Sequence, residues 1–231
     1  MKTIIKPVIR VDIVSDVVCP WCYIGKRRIE KAMADVASEY DFDVHYLPFE
    51  LNPDMPAEGK NHKQYLADKF GGDARYEQIT QHTTRVAGED GLSFDFSKQN
   101  VSPNTRLAHV LIQAAAEDGK QLALTEAFFK AYFTDGVDLS KKENLISVAV
   151  DAGWQKEKAE AALADETALA QVAFTEKEMS KLGISGVPFY IINNKYGVSG
   201  AQASDAFVKA FKEIGVEMAQ GAACDVDGNN C

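Results

Sequence analysis

Apolar and polar positions change period several times along this chain, and each change predicts an element. Residues Pro7 to Val14 form a β-branched run with partial alternation, the pattern of a strand. Ile29, Ala32, Met33, Val36 and Ala37 then recur at helical spacing and predict a helix starting near Cys19. Phe42 to Leu47 has strand character again, closed by Pro48 and an Asn52-Pro53 turn signal. From about Lys60 to Leu182 no convincing strand pattern occurs, and three apolar stripes predict helices: Leu107 to Ala115 after a Ser102-Pro103 start signal, Phe128 to Phe133, and Leu145 to Ala152. Strand character returns at Phe189 to Asn193, followed by an Asn-Asn-Lys-Tyr-Gly turn and a short run ending at Val198-Ser199. Phe207, Ala210, Phe211 and Ile214 mark a last amphipathic helix.

The predicted order is strand, helix, strand, long helical insert, two strands in a hairpin, helix. Without the insert, a βαβ half followed by ββα makes a mixed four-stranded sheet with helices over its faces, an α/β, thioredoxin-like fold carrying a large all-helical insertion. The expected division is 1–58 and 183–220 for the two parts of the thioredoxin-like domain, 59–182 for the helical insertion, and 221–231 for a C-terminal tail.

Bulk properties narrow the function classes. A chain of 231 residues, 46% hydrophobic and 26% charged, can bury a core without covalent staples. Its net charge of −9 argues against nucleic acid, whose phosphates call for clustered Lys and Arg. The first apolar stretch is broken by Lys6, Arg10, Asp12 and Asp16, so no signal core is expected, and no stretch has the length of a membrane span. The expected location is the cytoplasm.

The four cysteines fall in two close pairs, Cys19 with Cys22 and Cys224 with Cys231. In a reducing compartment that spacing points to redox chemistry or metal binding, with a zinc half-site as the alternative to exchange chemistry. A C-x-x-C at a helix start sets its first sulfur near free backbone N–H groups and the positive end of the helix dipole, which favours a thiolate. Cys19 is therefore the expected attacking residue and Cys22, one helical turn on, the expected resolving thiol. Pro20 suits the first helical turn, which tolerates its missing N–H, and Trp21 is expected on the exposed rim around Cys19.

The residues Ser15-Asp16-Val17-Val18-Cys19-Pro20-Trp21-Cys22-Tyr23-Ile24-Gly25 and Gly186-Val187-Pro188-Phe189-Tyr190-Ile191-Ile192-Asn193-Asn194-Lys195-Tyr196 closely resemble the DsbA family, and within it the FrnE-type branch. Similarity extends to Glu50-Leu51-Asn52-Pro53 and Asn104-Thr105-Arg106-Leu107-Ala108-His109, covering almost the whole chain. The resemblance implies dithiol–disulfide exchange through Cys19 and Cys22, a cis Pro188 beside them, and a Val187 backbone that pairs with an extended substrate segment. It implies no cofactor, and it makes protein thiols and disulfides the expected partners, with glutathione a further candidate. One departure matters: strongly oxidising periplasmic members carry Pro-His between the cysteines, whereas this chain has Pro-Trp, so an imidazole that could stabilise the thiolate is missing. FrnE-like proteins often end in a cysteine pair, which makes Cys224 and Cys231 a candidate second redox pair; a flexible tail that merely oxidises is the plainer reading.

Other residues carry less. Asp225, Asp227 and Asn229 mimic the opening of a calcium loop, but Asn stands at its sixth position and the sequence stops before the twelfth. The four histidines, His45, His62, His82 and His109, share no metal-ligand spacing, so no metal site is expected. His109 alone lies inside a family-like motif and is a candidate for a place near the site. Asp16 is expected in solvent or at a cap. Two other classes share the architecture or the cysteines. Kappa-type glutathione transferases and hydroxychromene-carboxylate isomerases generally use Ser at the Cys19 position, and a zinc-binding or redox-switch protein would use the cysteines without turnover.

Overall fold

The computed structural model describes the backbone of residues 6–224 and the side chains of residues 6–220. Its central sheet has four strands in the order β2-β1-β5-β6. Strand β1 (Val8–Ser15) is flanked by β2 (Asp41–Pro48), parallel to it, and β5 (Phe189–Ile192), antiparallel to it, and β5 turns back into β6 (Tyr196–Ser199). The turn between β5 and β6 holds Asn193 and Asn194 at positive φ, a conformation that asparagine tolerates better than most residues.

Alternation in β1 decides which helices cover which face. Ile9, Val11 and Ile13 are buried with Tyr190 and Ile192 and pack on α1 (Pro20–Asp35) and α9 (Ser204–Cys224), through Ile29, Phe207 and Phe211. Val14 points the other way and joins Leu47 and Ile191 against Met179 of α8 (Glu166–Lys181) and Ile184. A parallel β1–β2 pair needs a crossover, and α1 supplies it, with α9 packed alongside.

Between β2 and β5 the chain runs through α2 (His62–Phe70), α3 (Asp73–Glu89), α4 (Arg106–Ala114), α5 (Gln121–Lys130), α6 (Lys142–Asp151), α7 (Lys156–Ala164) and α8. This is the thioredoxin-like fold with a helical insertion. Two details add to the sequence reading. A two-residue ladder joins β3 (Lys60–Asn61) to β4 (Val101–Ser102), too short to show any period. The Phe128–Phe133 stripe also changes winding, because α5 gives way at Ala131–Asp135 to a π turn closed by Gly136 at positive φ. Ser102-Pro103 precedes its helix by a few residues, α4 starting at Arg106.

An aromatic stack and an ion cluster help tie the insertion to α1, beside the Arg28–Asp90 ion pair at 2.8 Å. Tyr23 lies against Phe129, ring centroids 4.8 Å apart and nearly parallel, and against Phe94 at 5.8 Å. Its hydroxyl donates to Glu126 at 2.7 Å, and Lys26 and Arg27 close on the same carboxylate. Burial pushes Glu126 up, but the bonds from Arg27, Lys26 and Tyr23 outweigh it and hold the carboxyl at about 2. No helix among the described residues is long and apolar enough to cross a membrane.

Candidate active site

The turn leaving β1 sets the site. Cys19 is the N-cap of α1, in extended conformation, and its N–H donates to the Asp16 carbonyl at 3.0 Å. Pro20 follows at the helix's first turn, where its missing N–H costs nothing. The Cys19 side chain makes no capping hydrogen bond, and it stands at the positive end of the helix dipole. Cys22, one turn deeper, is 2% exposed, and both thiols are free. Burial first, and then the neighbouring Cys19, push the Cys22 thiol well above its ordinary range. Trp21 is 37% exposed on the rim, with the His82 ring 6.1 Å away.

The loop before β5 faces this turn. The Val187–Pro188 peptide is cis, and the Cys19 thiol donates to the Val187 carbonyl at 3.7 Å. Gly25 lets the loop approach α1. A Cβ built there would lie 2.2 Å from the Tyr190 hydroxyl oxygen and 3.2 Å from Pro188 Cγ. Structure thus brings together Cys19, Pro20, Trp21, Cys22, Val187 and Pro188. The Cys224 and Cys231 thiols lie outside the described residues.

Asp16 differs from its expected place: it is 1% exposed, because its carboxylate turns inward to accept from the Leu51 N–H at 2.8 Å. His109 Nε2 lies 3.4 Å from the other carboxylate oxygen. Burial pulls this imidazole down, but Asp16 outweighs it and the net shift is upward. Behind the pair, Glu50 accepts from Arg106 Nε at 2.8 Å, and Glu176 of α8 completes the cluster. Sequence reasoning flagged His109 and missed Glu176, which sits at no recognisable motif. Among the described residues, no group of three or more His, Cys, Asp or Glu is placed to hold a metal ion.

Burial and the facing Glu50 raise Glu176 to about 7. The raised value means that the folded protein keeps a proton here that the unfolded chain releases above about 4.5. Its stabilising contribution is full below that pH and lost as pH rises through 7. Glu176→Gln is expected to raise stability by about 1–2 kcal/mol at pH 8, discounted for partial solvent contact, and by nothing at pH 4.5. Urea unfolding at the two pH values checks this; an equal effect at both would contradict it.

With this geometry in view, sequence comparison decides the family. A DSBA-like thioredoxin domain matches residues 10–212. The chain belongs to that family. Its fold superposes on the crystal structure of a probable DsbA oxidoreductase from Streptomyces coelicolor with a TM-score of 0.81, at 34% identity over 89% of each chain. YwbO of Bacillus subtilis is 24% identical over 206 residues, covering 89% of this chain and 96% of that protein. The cytosolic disulfide reductase DsbM of Pseudomonas aeruginosa, solved with GSH, shares the fold alone, with a TM-score of 0.62 and 20% identity over 90% of this chain and 99% of that one. Membership of the DSBA-like family places the chain among thiol–disulfide oxidoreductases.

Proposed function

We propose that this protein exchanges disulfides with protein substrates through a Cys19–Cys22 dithiol/disulfide couple, without a cofactor and in the cytoplasm, and that it belongs to the FrnE-like branch. In the reducing direction, the Cys19 thiolate attacks one sulfur of a substrate disulfide, forming a mixed disulfide and releasing the other substrate sulfur as a thiolate. Cys22, its proton given up to solvent or to the departing thiolate, attacks Cys19. The substrate leaves with two thiols, and the protein keeps the two-electron oxidised form. Each step is reversible, and the oxidising direction is the same path run backwards.

The observation that carries this reading is the Cys19 thiol at a helix N-cap, 3.7 Å from the Val187 carbonyl, with Cys22 buried one turn below. The first sulfur borders a cavity at the helix start, and burial holds the second, the resolving sulfur, protonated until needed. In this reading the Val187 backbone pairs with an extended substrate segment, Pro188 lies across from the reacting sulfurs, and Pro20 and Trp21 border the substrate. Glutathione is a fitting recycling partner. A glutathione transferase of the kappa type would need only one group at the Cys19 position, so the second thiol directly beneath it favours exchange.

Equilibration in glutathione buffers tests the proposal. One reversible two-electron transition between dithiol and disulfide is expected, with a tenfold change in equilibrium constant per roughly 30 mV. A Cys224→Ser/Cys231→Ser double variant that keeps the same transition would confine the chemistry to Cys19 and Cys22; a shifted potential would mark the tail as a coupled second pair. Absence of any Cys19–Cys22 disulfide across the buffer range would overturn the proposal.

A further inference from the structure

Cys22 has to lose a proton before it can attack, yet at 2% exposure it has almost no contact with solvent to take it. Two donors face its sulfur, the Ser15 hydroxyl and the Asp16 N–H, and both favour the charged form. In the mixed disulfide Cys19 is itself bonded, and burial holds the phenols of Tyr46 and Tyr190, which also surround Cys22, protonated. None of these groups is a base.

Ser15 leads to one. It ends β1, is 5% exposed, and lines a small cavity of about 10 Å³ together with His109, Tyr46, Gln113 and Thr125. That is the space of a single water molecule, so one water bridges Ser15 and His109 across it. Gln113 Nε2 and the Thr125 hydroxyl already donate to the Tyr46 and Gln121 carbonyls, both at 2.8 Å. His109 Nε2 lies 3.4 Å from Asp16, and a carboxylate there keeps the proton of the neutral ring on Nε2 and the lone pair on Nδ1. Glu50 and the partly exposed Glu176 are the other charges that act on this imidazole, with Arg106 beside them.

We propose, on the disulfide-exchange reading above, that Ser15 and His109, bridged by one water molecule in this cavity, form a relay that takes the proton of the resolving cysteine. As the Cys22 sulfur attacks Cys19, its proton passes to the Ser15 oxygen, the Ser15 proton to the water, and a water proton to His109 Nδ1. The Cys19–Cys22 bond forms while the bond from Cys19 to the substrate breaks, its electron pair leaving on the substrate sulfur. Asp16 stabilises the imidazolium, which then releases its proton outward past Glu176 to solvent.

The test mixes reduced full-length protein with oxidised glutathione, quenches with acid, and follows two steps by mass spectrometry: formation of the Cys19–glutathione adduct and its resolution into the Cys19–Cys22 disulfide. Ser15→Ala is expected to slow resolution about 10²-fold while adduct formation stays within about twofold, and Ser15→Thr, which restores a hydroxyl, to recover most of the rate. In the unaltered protein resolution rises with pH and levels off once His109 is neutral, at a pH above the ordinary 6.5 because Asp16 favours the imidazolium. In His109→Gln the plateau is lost and the rate keeps rising with hydroxide. Equal resolution rates in Ser15→Ala and the unaltered protein, or a pH profile that His109→Gln leaves unmoved, would overturn the relay and leave disulfide exchange standing. Slowing of adduct formation and resolution alike would reduce Ser15 to a packing role and overturn the relay too. Absence of a Cys19–Cys22 disulfide with glutathione and with insulin alike would overturn the underlying reading itself.

Discussion

Replacing Cys19 with serine is expected to lower disulfide exchange on the order of 10³-fold or more, measured as insulin reduction by dithiothreitol or as oxidation of a reduced test protein. The reason is elementary. A hydroxyl stays protonated at neutral pH even at a helix N-terminus, and its oxygen cannot form the disulfide on which both half-reactions depend. The substitution is nearly isosteric, and the serine Oγ can still donate to the Val187 carbonyl that the thiol now contacts. Far-ultraviolet circular dichroism and the melting temperature are therefore expected to stay near those of the unaltered protein, which separates lost chemistry from lost fold. Retained exchange in a folded Cys19→Ser protein would move the chemistry elsewhere in the chain.

Gly25→Val is expected to produce the second large effect, on stability and rate together. Gly25 sits one turn beyond Cys22, where α1 meets the loop before β5, and even a methyl group there would stand 2.2 Å from the Tyr190 hydroxyl oxygen. That ring cannot step aside: Tyr190 is fully buried, with Phe207 packed edge-on at 4.8 Å. The helix and the loop must separate instead, and overpacking of this kind costs about 1–3 kcal/mol. The same separation pulls Pro188 and Val187 away from Cys19. A displacement of about 1 Å at a reacting centre can lower a rate by roughly 10²-fold, so exchange is expected to fall by 10-fold to 100-fold in protein that is still folded. A rate unchanged alongside a lowered melting point would show that the approach of loop to helix serves packing alone.

The sheet was legible because each of its strands carries its own signal. The β-branched run at Pro7–Val14 became β1, and the Asn193-Asn194 turn between apolar runs became the β5–β6 hairpin. The place of Cys19 and Cys22 at a strand-to-helix turn was legible for the same reason: spacing, a preceding strand and a following helix are all local. What could not be read is whatever depends on distant pairing. Asp16 looked like a solvated turn residue, and only the fold reveals that Leu51 and His109 close over it. Nothing in the helical pattern of α8 distinguishes Glu176 from its neighbours, since its raised pKa comes from burial and from Glu50 across the cluster. His62 reads as one more polar residue at a helix start; that its buried Nε2 has no partner among the described residues follows from α2, β4 and the turn after α5 converging on it. The β3–β4 ladder escaped notice because two residues cannot display a period.

The central claim is a division of labour between two thiols: Cys19 attacks and Cys22 resolves. Its most direct measurement is a trap. A Cys22→Ala protein incubated with a disulfide-bonded substrate, quenched with an alkylating agent and digested, is expected to show by mass spectrometry a substrate adduct on Cys19, accumulating to near one equivalent and released by dithiothreitol. Turnover at the unaltered rate with no adduct, or an adduct on Cys224 or Cys231 in place of Cys19, would contradict the account.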